Sequence, residues 1–195
     1  MKIGVLALQG DFLEHAQILR AMDVDPVEVR LPAQLAHIDG LIIPGGESTT
    51  FGKLAVEFKL IEPLREFCKS GKPVLGTCAG MIFLAKDVGR AQPVLGLMDV
   101  QVRRNAFGRQ VDSFEIDLDI PTLEPRAPFH AIFIRAPLVA SVGKGVVVLA
   151  KLDDGTIVAV RQGNLMATSF HPELTNDPRL HRYWLQPSIK KTPQV

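Results

Sequence analysis

Short apolar runs alternate with longer amphipathic stretches through the first half of the chain, and this alternation predicts βα units feeding a parallel sheet. Ile3 to Leu8 reads as one buried strand. Asp11 to Met22 then places Phe12, His15, Ala16, Leu19 and Met22 near one helical face, with Asp11 close to the helix start. Val27 to Arg30 and Leu41 to Ile43 follow as the second and third strands, the third ending at Pro44-Gly45-Gly46. Ser48 to Leu60 is expected to open the next helix, and Pro63 to Cys68 is helical until Ser70-Gly71 ends it. Pro73 to Leu75 is the fourth strand, and Ala79 to Ala85 looks helical again.

Beyond Lys86 the period changes. Segments around Val100 to Arg103, Phe114 to Leu118, Ala131 to Ile134, Val146 to Ala150, Ile157 to Val160 and Leu165 to Thr168 favour strands, with turns such as Asp153-Asp154-Gly155 between them. They predict an antiparallel extension of the central sheet. Leu123 to Phe129, which contains Pro125 and Pro128, reads as an exposed loop, and 186–195 as a flexible tail. The expected fold is α/β in three layers, an open, mixed but mostly parallel sheet flanked by helices, in a single domain over 1–185.

Composition narrows the classes of function. With 195 residues the chain holds one domain, burying about 70% of its unfolded surface, and leaves no room for a second catalytic domain. Lys and Arg together number 22 against 21 acidic residues, so a net charge of +1 supplies no field to draw in nucleic acid or an anionic membrane. The first residues run straight into a strand without a signal-peptide pattern, and no stretch approaches the roughly 18 apolar residues of a membrane span. A soluble cytoplasmic protein is the expectation. Of the two cysteines, Cys68 sits in a helical pattern as a small buried hydrophobe, and a reducing compartment argues against a disulfide.

Cys78 differs. It lies in Gly76-Thr77-Cys78-Ala79-Gly80, directly after an apolar strand and before a helix, where flanking glycines permit torsions and close approaches that a Cβ would block. Far along the chain, after another apolar run, stands His171-Pro172-Glu173. A thiol is only a few per cent ionised at neutral pH, and a neighbouring imidazole and a helix start both favour the thiolate. The imidazole in turn needs a group to fix its tautomer, and Glu173 is the candidate. Together these residues suit acyl transfer through a thioester. Pro44-Gly45-Gly46-Glu47-Ser48-Thr49 ends the third strand on the same carboxyl edge as Cys78, so its backbone N–H groups and that of Ala79 are candidates for an oxyanion hole.

Each feature has a plainer structural reading: a buried cysteine, a surface His near a carboxylate, a tight Gly-Gly turn. The glycine run lacks the Lys-Ser or Lys-Thr of a nucleotide loop, and no Cys or His pair has metal-ligand spacing, so no cofactor and no metal are expected. His15, His37, His130 and His181 read as packing or surface residues. Arg103 to Phe114 is basic with interleaved aromatics, which fits a solvated loop or a recognition loop beside the site better than an RNA surface.

The runs Gly4 to Gly10, Pro44 to Thr50, Gly76 to Met81, Arg104 to Phe114, Phe133 to Pro137 and Ser169 to Thr175 together resemble class I glutamine amidotransferases of flavodoxin-like fold. The two arginine-containing runs narrow the resemblance to the glutaminase subunits of pyridoxal 5'-phosphate synthases. The resemblance implies Cys78 as nucleophile, His171 as general base and then acid, and Glu173 as its orienter. It implies glutamine contacts at Gly46, Glu47, Ser48, Arg104, Ile134 and Arg135, and an oxyanion hole at Gly45, Gly46 and Ala79 with Gln9 nearby. It further implies L-glutamine as substrate, no cofactor, and a separate TIM-barrel synthase subunit as partner in a hetero-oligomer. That subunit combines ammonia with ribose 5-phosphate and glyceraldehyde 3-phosphate. A cysteine-dependent hydrolase or deglycase of similar architecture, or a non-catalytic regulatory module, are the alternatives left by the residues themselves.

Overall fold

In the computed structural model, which describes residues 1–104 and 113–186, the expected parallel half is present. Strand β1 (Lys2–Leu6) leads into helix α1 (Phe12–Ala21), β2 (Asp25–Val29), a 3-10 turn at Pro32–His37 and β3 (Gly40–Ile43). Helices α2 (Ser48–Glu57) and α3 (Ile61–Lys69) precede β4 (Val74–Thr77) and α4 (Ala79–Leu84). The remainder is mostly strand: β5 (Ala85–Asp87), β6 (Met98–Arg103), β7 (Ser113–Leu118), β8 (Phe129–Ile134), β9 (Leu138–Val142), β10 (Val147–Lys151), β11 (Ile157–Gln162) and β12 (Leu165–Thr168). A 3-10 turn at Pro172–Leu174 and helix α5 (Arg179–Leu185) complete it.

The main sheet runs β2-β1-β3-β4-β12-β11-β9-β6-β5, with β10 also paired to β11. Pairs from β2 through β12 are parallel, and β11, β9 and β6 extend the sheet antiparallel. One pairing positions the site. Strand β12 lies parallel to β4 in the register Thr168↔Thr77, so segments distant in sequence end side by side at one carboxyl edge. Such edges are where open α/β sheets bind ligands.

Side chains alternate across the sheet and fill two cores. Leu41 and Ile43 face a core with Phe51, Phe67, Met81 and Phe83 from α2, α3 and α4. Ile42 between them faces the other, with Leu19 of α1, Phe170, and Leu180 and Trp184 of α5. Strands β7 and β8 pair with each other as a separate two-stranded sheet rather than joining the main one. Phe129 and Phe133 of β8 seat that hairpin against Phe170, at ring separations of 5.7 Å and 5.6 Å. Truncating the fully buried Phe170 to alanine would cost about 3–5 kcal/mol.

Several expectations need correction. Helix α2 stops at Glu57, short of the expected Leu60, because Lys59 adopts φ 55° before α3 starts at Ile61. The stretch Leu123 to Phe129 is exposed only between its ends, because Leu123 and Phe129 are buried in the second core. Arg179 fixes its carbonyls, donating to Pro125 (2.9 Å), Ala127 (2.8 Å) and Pro128 (2.9 Å). Strands β5 and β9 were not expected from the pattern. The expectations of a recognition loop and a flexible tail fall on 105–112 and 187–195, which lie outside the described residues.

Candidate active site

Cys78 stands between β4 and α4 with φ 49° and ψ −101°, a backbone conformation that side-chain-bearing residues rarely adopt. The neighbouring glycines supply room rather than torsion. A Cβ on Gly80 would lie 2.0 Å from the Ile43 carbonyl oxygen, and one on Gly76 would lie 2.7 Å from the Gly80 backbone. The elbow is tied down by the Cys78 N–H donating to Thr168 of β12 at 2.8 Å. Its thiol is aligned with the Ile134 carbonyl oxygen at 3.9 Å. Cys68, by contrast, is buried, and burial pushes its thiol up to about 12.

The chain leaving β12 delivers His171, whose N–H donates to Ile132 of β8 at 2.9 Å. The His171 Nδ1 lies 2.8 Å from Oε1 of Glu173 and 3.4 Å from Oδ2 of Asp11. Burial opposes a charge on this imidazole, yet the neighbouring Asp11, Cys78 and Glu173 side chains outweigh burial and raise its pKa to about 12. His171 therefore keeps its proton, and Nδ1–H donates to the nearer carboxylate. The Glu173 side chain is wholly buried, and burial raises its pKa against the opposing pull of His171.

Cys78, His171, Gly46, Glu47, Ser48, Arg104, Ile134 and Arg135 line one cavity of about 270 Å³, together with Asp11 and Ile82. The six residues expected to contact substrate are thus gathered around the expected thiol and imidazole. Glu47 caps α2 by accepting from Thr49 N–H (3.1 Å) and Thr50 N–H (2.7 Å). Slight burial notwithstanding, those bonds bring its carboxyl down to about 2. Arg104 donates to Glu47 and Thr49, both at 3.3 Å, and to Gln92 at 3.2 Å. Arg135, at φ 43°, also lines the cavity.

Of the candidate oxyanion residues, Gly46 lines the cavity, while Gly45 and Ala79 adjoin the lining residues Gly46 and Cys78 in sequence. Gly45 is packed so closely on His171 that a Cβ would stand 2.5 Å from Cε1. Gly46, at φ 142°, leaves no space for a Cβ beside the Gln9 amide, 2.1 Å away. The Gln9 side chain accepts from Glu47 N–H at 3.3 Å, and buried Ala79 follows Cys78 directly.

Three participants were missed in the sequence. Asp11, counted only as a helix start, opens into the cavity. His15 and His181, counted as packing or surface residues, are fully buried and form a polar chain behind Glu173. His15 Nε2 lies 3.3 Å from Glu173 Oε2 and 3.1 Å from Thr77 Oγ1, and its Nδ1 lies 3.2 Å from His181 Nε2. Asp11 follows the carboxyl end of β1, the same edge as Cys78 and His171, but its place before α1 reads first as a helix cap. His37 is exposed, and exposed His130 is raised in pKa by hydrogen bonds to Asp117 and Glu115. Asp11, His171 and Glu173 bring ligand-type atoms within 4.8 Å of one another. An ion there would have to displace the proton between His171 and Glu173.

A cysteine elbow, an imidazole and a buried carboxylate, gathered at the carboxyl edge of a mixed sheet, define the class: an α/β protein with a Cys-His-Glu site. The SNO glutamine amidotransferase family matches residues 5–190, and the chain belongs to that family. It is 59% identical over 189 residues to the pyridoxal 5'-phosphate synthase subunit PdxT of Herpetosiphon aurantiacus, covering 95% of this chain and 99% of the relative. To the subunit of the same name from Moorella thermoacetica it is 60% identical over 187 residues, covering 95% and 98%. A solved glutamine amidotransferase superposes with a TM-score of 0.87 at 52% identity, covering 94% of this chain and 96% of its own. PurLQS from Thermotoga maritima, at 16% identity and a TM-score of 0.72 over 94% and 97% of the two chains, shares the fold.

Proposed function

We propose that this protein is the glutaminase subunit of a pyridoxal 5'-phosphate synthase, a single cytoplasmic domain over 1–185 that supplies ammonia to a separate synthase subunit. The observation that carries the reading is the convergence of Cys78 and the His171–Glu173 pair at the ends of adjacent, parallel β4 and β12. The Cys78 thiolate adds to the side-chain amide carbon of L-glutamine, and the oxyanion is received by N–H groups of the Gly45-Gly46 turn and Ala79. The C–N bond breaks as His171 gives its proton to the departing nitrogen, leaving a γ-glutamyl thioester and ammonia. Neutral His171 then takes a proton from water, which attacks the thioester and releases glutamate and the thiol. Glu173 holds the imidazole in the tautomer that both steps require.

Opposite charges on the cavity wall suit a free amino acid. Arg104 and Arg135 are positioned for its carboxylate, and Asp11 and Glu47 for its ammonium group. Ammonia met by bulk water would be protonated and lost as a nucleophile, so the acceptor must lie across an enclosed path on the partner. A glutamine-like chloroketone or diazo ketone tests the reading. Mass spectrometry is expected to find the label on Cys78 and to find it suppressed by L-glutamine. Labelling elsewhere, or labelling that glutamine does not suppress, would overturn it.

A further inference from the structure

Glu173 is a buried carboxylate with two oxygens, and the triad uses one. Oε1 accepts from His171, whereas Oε2 is sealed from solvent without an aligned hydrogen-bond donor among the described residues. Leaving a buried carboxylate oxygen unmade is costly, and the nitrogen placed to serve it is Nε2 of His15, 3.3 Å away. We propose that His15, held in one tautomer by His181, is a positioning residue for Glu173 that donates to Oε2 and keeps the carboxylate ionised and aimed at His171.

The tautomer follows from elimination. His15 Nδ1 and His181 Nε2 share one proton across 3.2 Å. Were it on His15 Nδ1, neutral His15 would turn a bare Nε2 lone pair toward the Glu173 carboxylate, and His181 would carry its own proton on Nδ1, a buried atom with no partner. With the proton on His181 Nε2, His15 carries Nε2–H facing Glu173 Oε2 and Thr77 Oγ1, and His181 is left with only an unused acceptor. Both histidines stay neutral. Burial, with His181 and His171 adding to it, drives the pKa of His15 well below 6.5, and burial against a weaker pull from Asp177 lowers that of His181 to about 4. The groups facing His15 are therefore Thr77 from β4, Glu173 and His171 from the segment after β12, and His181 from α5. The resulting polar chain runs from His181 through His15 to Glu173, which accepts from His15 on one oxygen and from His171 on the other.

The inference rests on the glutaminase reading, and the test separates the two. Thiolate formation at Cys78 is read as the pH dependence of iodoacetamide alkylation of the full chain, and glutamate release from L-glutamine is measured with the cognate synthase subunit added. In His15→Leu, Glu173 should take up a proton more readily and stabilise the imidazolium less. The acid limb of alkylation is then expected to move to higher pH by about half a unit to one unit, and kcat to fall about 10-fold to 100-fold with KM little changed. His15→Gln, which restores an N–H near the position of Nε2, is expected to recover most of both. A His15→Leu protein that loses activity without moving the limb, or that Gln does not rescue, would show a merely structural role and overturn the proposal. If His15→Leu does not fold, His181→Leu takes its place: it frees the His15 tautomer and should move the limb the same way by less, and an unmoved limb overturns the proposal. Absence of glutamate release from the unsubstituted complex would instead sink the glutaminase reading.

Discussion

A methyl group added at Gly45 would stand 2.5 Å from Cε1 of His171 and 2.7 Å from Oδ2 of Asp11, so one of the three must move. Because the imidazole is aimed rather than loosely held, Gly45→Ala is expected to lower kcat for glutamine about 10-fold or more while preserving the far-UV circular dichroism of the parent. His171 itself has a folded pKa raised from 6.5 to about 12. The stability its imidazolium contributes is thus complete below pH 6.5 and lost only as pH climbs through about 12. Its C2 proton resonance should stay at the imidazolium position between about pH 5 and about pH 9, and a titration in that window would contradict the assigned state. Cys78, His171 and Glu173 were legible because each carries chemistry in a short run that ends a strand. Asp11 and His15 were not, since a helical pattern assigns both to capping and packing and says nothing of what crosses to meet them.

Among the elements, α1 and α5 meet through a pair of neutral buried histidines. Unfolded, each would bind a proton near pH 6.5, whereas His181 in place resists until about pH 4. The unfolded chain therefore holds more protons in that window, and stability falls as pH falls through it. His181 contributes about 1.4 kcal/mol per pH unit to this slope. Urea unfolding at several pH values across the window should show His181→Gln with a shallower dependence than the parent by that amount, and equal slopes would refute the neutral assignment. Most strands were readable from their apolar runs, but β9 was missed because its burial alternates irregularly and Ala140 and Ser141 are exposed. The separation of α2 from α3 was readable, but the residue at which α2 stops was not. Lys59 is neither Gly nor Asn, so no residue type announces its left-handed turn.

For the molecule as a whole, the parallel βα order of the first half could be read from local pattern, while the return of β12 to lie beside β4 could not, because pairing between distant strands leaves no local trace. That return assembles the site. The Glu47 peptide also rests on long bonds to Gln9, 3.3 Å and 3.5 Å, which a docking partner that shifts the start of α1 would loosen. Glutamate release by the purified chain is therefore expected to be at least about 10-fold slower than with the synthase subunit present, and equal rates would remove the case for gating. The torsion at Cys78 carries a final consequence. At ordinary positions alanine outranks glycine in thermal resistance, yet here the two inert replacements should exchange places, with Cys78→Gly melting above Cys78→Ala. Reactivity has been installed at a bend where this chain would sooner have no side chain at all.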